Sequence, residues 1–183
     1  MSRLRVWDPL VRILHWTLVL CVLGNFINES GATVHRYAGY VATGVVLTRL
    51  LWGFIGTPYA RFRDWFPWPS RLFPYLRALL RGQPPHYTGH NPAGAVMMLL
   101  LLALVISLGT TGYMMGLDAY WGEEWLEELH EGIANVLIGC VALHVLAAIA
   151  ESIRHQDNLV LAMIHGYKRP PADTDSHDAT TSG

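Results

Sequence analysis

Residues 127–154, EELHEGIANVLIGCVALHVLAAIAESIR, decide how this chain folds. From residue 132 to 150 the stretch holds no charged side chain, and an apolar run of about 20 residues is what a bilayer-crossing helix needs. His130 and His144 are fourteen residues apart. On a helix that spacing falls about 40° short of four turns and covers about 21 Å of axis. In a hydrocarbon core about 30 Å thick, the two imidazoles then share a face with one in each half of the membrane. Gly132 and Gly139 are expected near that face, leaving room for something flat and bulky. Ionisable side chains at such depth are costly, so they are expected to look into a bundle and to find partners on other helices.

The composition agrees with a membrane protein. The chain has 183 residues, of which 52% are hydrophobic and 15% charged, with mean hydropathy +0.27. That is too apolar for a small soluble domain and points to one integral-membrane domain over residues 1–169. Residues 170–183 read as a disordered cytoplasmic tail. A net charge of −1 supplies no basic field for nucleic acid. Cys21 and Cys140 fall in apolar runs with no CxxC, CxxCH or zinc spacing, so they read as small buried hydrophobes. The basic N-terminus resembles a signal peptide, but without a small-residue cleavage site it is expected to remain in the mature protein.

Four spans are expected, at residues 9–28, 35–54, 93–115 and 130–153, giving an all-α, four-helix transmembrane bundle. Gly39, Gly44 and Gly53 in the second span, and Gly109, Gly112 and Gly116 at the end of the third, are candidate close-contact points. The third span has no charge and no histidine, and reads as a packing helix. Between the second and third, residues 70–81 set Leu72, Leu76, Leu79 and Leu80 apart from Arg71, Arg77 and Arg81, the pattern of a cytoplasmic interfacial helix. Arg3, Arg5 and Arg12, the five arginines from Arg61 to Arg81, and Arg154, Lys168 and Arg169 all fall on one side. That side is expected to be cytoplasmic, with both termini on it. The outer side holds Arg36 and an acidic connection with Asp118, Glu123, Glu124, Glu127 and Glu128.

With that orientation the histidines sort by depth. His15 and His144 lie toward the cytoplasmic side, while His35 and His130 stand at the outer entrances of their spans. Two imidazoles at one level on different helices can supply both axial ligands of a heme iron, so the four make two stacked sites. His35 taken alone reads as an interfacial side chain; the matched set of four argues for more. Heme propionates need cationic company. Arg49 falls at the inner level, as either a propionate partner or a snorkelling side chain, and Arg36 stands near the outer one. His86, His90, His155, His165 and His177 read as solvated or interfacial, with His155 a remote alternative inner ligand. Tyr87, His90 and Asn91 offer polar groups for a quinone at the inner interface, although a helix cap by Asn91 ahead of Pro92 explains them with less.

The segments RVWDPLVRILHW (5–16), HRYAGYVATGVVLTRLLWGFIG (35–56), YTGHNPAG (87–94), the LHE and LHV triplets around His130 and His144, and ESIRHQDNLVLAMIHGYKR (151–169) resemble the bacterial cytochrome b561 family, which includes b-type cytochrome subunits of nickel-iron hydrogenases. The resemblance implies a bacterial inner-membrane bundle with two non-covalent b hemes, ligated by His15 with His144 and by His35 with His130. It also implies electron exchange between the quinone pool and a periplasmic partner, such as a c-type cytochrome or a hydrogenase-like subunit. The acidic outer connection either docks a basic electron carrier or is a solvated loop. A superoxide:quinone oxidoreductase is the enzymatic alternative, with only Arg36 to attract the anion. A heme-containing membrane anchor subunit is the other. The uninterrupted third span speaks against a transporter.

Overall fold

A computed structural model describes residues 4–28, 33–85 and 87–168. In chain order the elements are β1 (Leu4–Arg5), α1 (Pro9–Ile27), α2 (Thr33–Ile55), α3 (Phe62–Trp65), α4 (Pro69–Leu80), α5 (Pro92–Met114), a 3-10 turn (Asp118–Tyr120), α6 (Glu124–His155), α7 (Leu159–His165) and β2 (Tyr167–Lys168). The four long helices α1, α2, α5 and α6 are each long and apolar enough to cross a membrane. The fold is thus an all-α transmembrane bundle with a two-residue antiparallel pairing of β1 with β2. We call the end carrying these strands the basic end and the other the acidic end.

Local chemistry starts the spans where they start. Asp8 Oδ1 accepts from the Val11 amide at 2.9 Å, and Pro9 sits where a missing N–H costs nothing. Asn91 and Pro92 repeat the device on α5, with Asn91 Oδ1 accepting from the Gly94 amide at 2.7 Å. The capping role read from the sequence for Asn91 is the observed one.

Close packing runs from α1 to α2, α2 to α5 and α5 to α6, while α1 and α6 share no extended contact. The bundle is therefore an arc with a seam between its first and last spans. Ala42, Val46, Leu102, Val105 and Leu137 form its intramembrane core. Gly109 allows the α2–α5 approach, because a Cβ there would overlap the Thr43 side chain. Outward, Leu20, Leu51, Phe54 and Leu146 are 63–74% exposed. Left in water, each would forgo about 1.5–3 kcal/mol of burial; against lipid tails they forgo nothing.

At the basic end a second core of Val6, Trp7, Val11, Ala60 and Ala162 joins the two ends of the described chain. The Val6 and Trp7 amides donate to the Gly166 carbonyl at 2.9 and 3.1 Å. Trp16 Nε1 donates to the Met163 carbonyl at 3.2 Å, and Arg12 to that of Ile164. Gly166 is irreplaceable on two counts: its φ is +90°, and a Cβ would stand 2.6 Å from the Trp7 carbonyl oxygen. Asp8 adds a third tie, its Oδ2 accepting from Trp52 Nε1 at 3.0 Å and Thr57 Oγ1 at 2.7 Å. Burial alone would raise this carboxyl, but the hydrogen bonds from Trp52, Val11 and Thr57 hold it below the usual carboxylate value.

Three expectations need correction. The last long helix begins at Glu124 rather than near His130, because Glu and Leu are good helix formers and carboxylates favour a helix N-terminus. His130 therefore lies almost two turns inside α6, not at its entrance. Gly132 and Gly139 do have open space where a side chain would begin, but they do not belong to the histidine face. At about 100° per residue they stand roughly 160–180° around α6 from His130 and roughly 120–140° from His144. On α4, Leu80 is 89% exposed along with Phe73 and the three arginines, and it is Tyr75 that is buried. The tail from residue 170, with Arg3, Arg169, His86 and His177, lies outside the described residues.

Candidate functional site

Each of the histidine-bearing spans contributes to one of two levels, and α6 to both. At the acidic end, His35 in the first turn of α2 and His130 on α6 face each other with ring centroids 6.3 Å apart and planes inclined by 56°. Metal–imidazole bonds of about 2.0–2.1 Å, plus roughly 1.1 Å from each nitrogen to its ring centre, give about 6.2–6.4 Å for two imidazoles on opposite sides of one metal. The observed separation fits a shared iron.

The tautomers fit as well. The Asn28 carbonyl can only accept, so His35 donates to it from Nδ1 at 2.8 Å. The Thr111 hydroxyl has one proton, directed at the Ser107 and Leu108 carbonyls at 3.0 and 3.2 Å. Its oxygen is left to accept from His130 Nδ1, 2.7 Å away. Both rings thus keep an unprotonated Nε2, the form that binds metal. Asn25 steadies the turn further by donating from Nδ2 to the His35 carbonyl at 3.1 Å. Gly112 lets the His130 ring close in, since a Cβ there would be 3.4 Å from its Cε1.

Toward the basic end, His15 on α1 and His144 on α6 lie across the seam, near enough to interact electrostatically. His15 packs edge-on against Trp16 at 5.3 Å, and its buried Nδ1 meets no hydrogen-bonding group. Arg49 stands toward the same end and is only 7% exposed, so it does not snorkel. Its Nη2 donates to the Ala60 carbonyl at 3.1 Å, its Cζ lies 5.6 Å from the Phe62 ring centre, and its Nη1 is buried without a partner. Arg12 Nε is orphaned in the same way. A buried unsatisfied donor costs about 1–3 kcal/mol or more if charged, so both guanidinium groups suit a carboxylate such as a propionate. Arg36 is exposed beside His35 and has no ion-pair partner among the described residues. Among those residues, too, no three His, Cys, Asp or Glu converge on a metal position; the histidines meet only in twos.

The remaining histidines divide. His155 ends α6 in an ion-pair geometry with Glu151, Nε2 to Oε2 3.1 Å. His90, expected at the surface, is instead enclosed between Trp7 and Trp65 at 4.8 and 4.9 Å. Burial, then the neighbouring charges of Arg49 and Lys168, push it down to about 3. Lys168 is 5% exposed and donates to the Thr88 and Tyr87 carbonyls at 2.9 and 3.4 Å. The parts played by Thr111 and Lys168 are not visible in the sequence alone. Thr111 has one signal there, a Thr-Thr-Gly step at the level of His130 in a helix otherwise almost wholly apolar.

The family model described as prokaryotic cytochrome b561 matches residues 6–166. Among curated relatives, the chain is 25% identical to a probable Ni/Fe-hydrogenase B-type cytochrome subunit of Bradyrhizobium diazoefficiens, over 90% of this chain and 85% of that one. It is 26% identical to the probable hydrogenase 1 counterpart of Escherichia coli K12, over 89% of each chain. For the Cupriavidus necator counterpart the identity is 27%, over 89% of this chain and 86% of the other. No solved structure matches the chain. With the match covering all four long helices, the chain belongs to the prokaryotic cytochrome b561 family and is a membrane b-type cytochrome.

Proposed function

We propose that the protein is a di-heme electron conduit of the bacterial inner membrane, with both termini cytoplasmic, connecting the quinone pool to a periplasmic redox protein. The observation that carries this reading is the 6.3 Å separation of His35 and His130. His35 with His130, and His15 with His144, hold the two b hemes, whose one-electron chemistry the chain borrows. Arg49 and Arg12 receive propionates toward the cytoplasmic side, and Arg36 does so toward the periplasmic side. The orientation rests on the arginines and lysines gathered at the basic end.

Of residues 87–94, Asn91 is spent on the α5 cap and the Tyr87 and Thr88 carbonyls on Lys168, whereas His90, enclosed between two tryptophans, keeps a buried Nδ1 without a hydrogen-bond partner. The periplasmic partner is a protein rather than superoxide. Glu123, Glu124, Glu127, Glu128 and Asp118 are all exposed at the acidic end, and such a field repels a small anion while attracting a basic protein surface. The names of the relatives favour a hydrogenase-like subunit, and the acidic face favours a basic c-type cytochrome. The alignment with the Bradyrhizobium protein runs over 210 positions, more than the 183 residues of this chain. That relative therefore has internal segments this chain lacks, and the two partners are told apart by experiment.

The test is the heme content of detergent-purified protein, by pyridine hemochrome absorbance against amino-acid analysis, followed by reduction with a basic c-type cytochrome, a hydrogenase and superoxide in parallel. Two hemes per polypeptide and preferential exchange with the cytochrome are expected. A well-folded preparation from heme-replete cells that holds none would leave only a membrane anchor.

A further inference from the structure

The two histidine pairs are not equivalent in their hydrogen bonding. At the acidic end both Nδ1–H groups are committed to oxygen acceptors, the Asn28 carbonyl and the Thr111 hydroxyl. Thr111 is itself 6% exposed, so its bond to His130 is sheltered from water. A hydrogen-bonded Nδ1–H makes the imidazole a stronger donor through Nε2, which favours the oxidised, more positive metal. Toward the basic end, His15 Nδ1 finds no acceptor, and its ring stays the weaker donor.

We infer that Thr111 is a positioning residue for His130 and that it keeps the acidic-end heme at a lower reduction potential than the basic-end heme. This rests on the proposed pairing of the histidines.

The experiment is a spectroscopic redox titration of the purified holoprotein, with electron paramagnetic resonance of its low-spin signals, for the natural chain, Thr111→Val and Thr111→Ser. Thr111→Val keeps the branched shape and removes the hydroxyl. Two one-electron transitions are expected in the natural chain. In Thr111→Val the lower one moves to higher potential and one low-spin signal changes, while the upper transition stays; Thr111→Ser restores the natural values. If Thr111→Val sheds a heme, retention of both hemes in Thr111→Ser supports the role of the hydroxyl, and loss from both variants overturns it. A shift of the upper transition, or of neither, in a protein that holds two hemes overturns the inference and leaves the pairing intact. Fewer than two hemes in the natural chain overturns the pairing itself.

Discussion

The two ends of this bundle hold their histidines by different means. At the acidic end, His35 and His130 are fixed by hydrogen bonds from within the span layer, through the Asn28 carbonyl and Thr111. Toward the basic end, His15 packs edge-on against Trp16 and its Nδ1 meets no hydrogen-bonding group. Two pairs that look alike as letters thus differ in how they are held, and loss of a single hydroxyl should loosen the first and leave the second.

The largest effect that would break this comparison is on heme content. His130→Ala and His144→Ala are each expected to lower heme from two to one per chain with helix content unchanged, read by hemochrome absorbance and circular dichroism. Loss of both hemes from either single variant would show that the two levels are not independent. Next comes packing. Gly109→Val drives a side chain into Thr43 and should cost about 1–3 kcal/mol or more, seen as a lower thermal midpoint in detergent, whereas Gly132→Val, with open space at its Cβ, should leave the midpoint nearly unchanged.

Acid sharpens the contrast further. His90 titrates at about 3 in the folded chain against 6.5 otherwise. As pH falls from 6.5 toward 3, the unfolded chain takes up this proton first, so stability is lost through that window. His90→Phe, which can still stack between Trp7 and Trp65, should flatten the decline in a series of thermal midpoints against pH. An unchanged slope would mean that His90 is charged within its aromatic enclosure. The smallest effect is that of Asn91→Ala, which removes the α5 cap and should cost about 1 kcal/mol, measured the same way.

Much of the frame was legible because hydropathy and helix period act locally. The four spans, the depth order of His15, His35, His130 and His144, and the Asn91 cap all follow from short runs of neighbouring residues. What was not legible is long-range or contrary to local polarity. Residues 124–129 read as an outer loop because they are largely acidic, yet they carry α6 beyond the span. Thr111 lies on a helix that reads as mere packing, and only the approach of α6 gives its hydroxyl a partner. His90 and Lys168 look like surface groups until residues 6–7 and 166–168 come together over them. Arg49, open to two readings in the sequence, does not snorkel, because it is buried against Phe62 and Ala60.

That meeting of residues 4–7 with 162–168 also bears on the order of events at the ribosome. All four spans are made before α7 and β2 emerge, so the contacts that close the basic end are the last to form and among the most distant in the chain. Until then the seam between α1 and α6 has no tie across it from Trp16 or Arg12. A nascent chain halted before Leu159 would have every helix needed to sit in the membrane and would still lack its fastener.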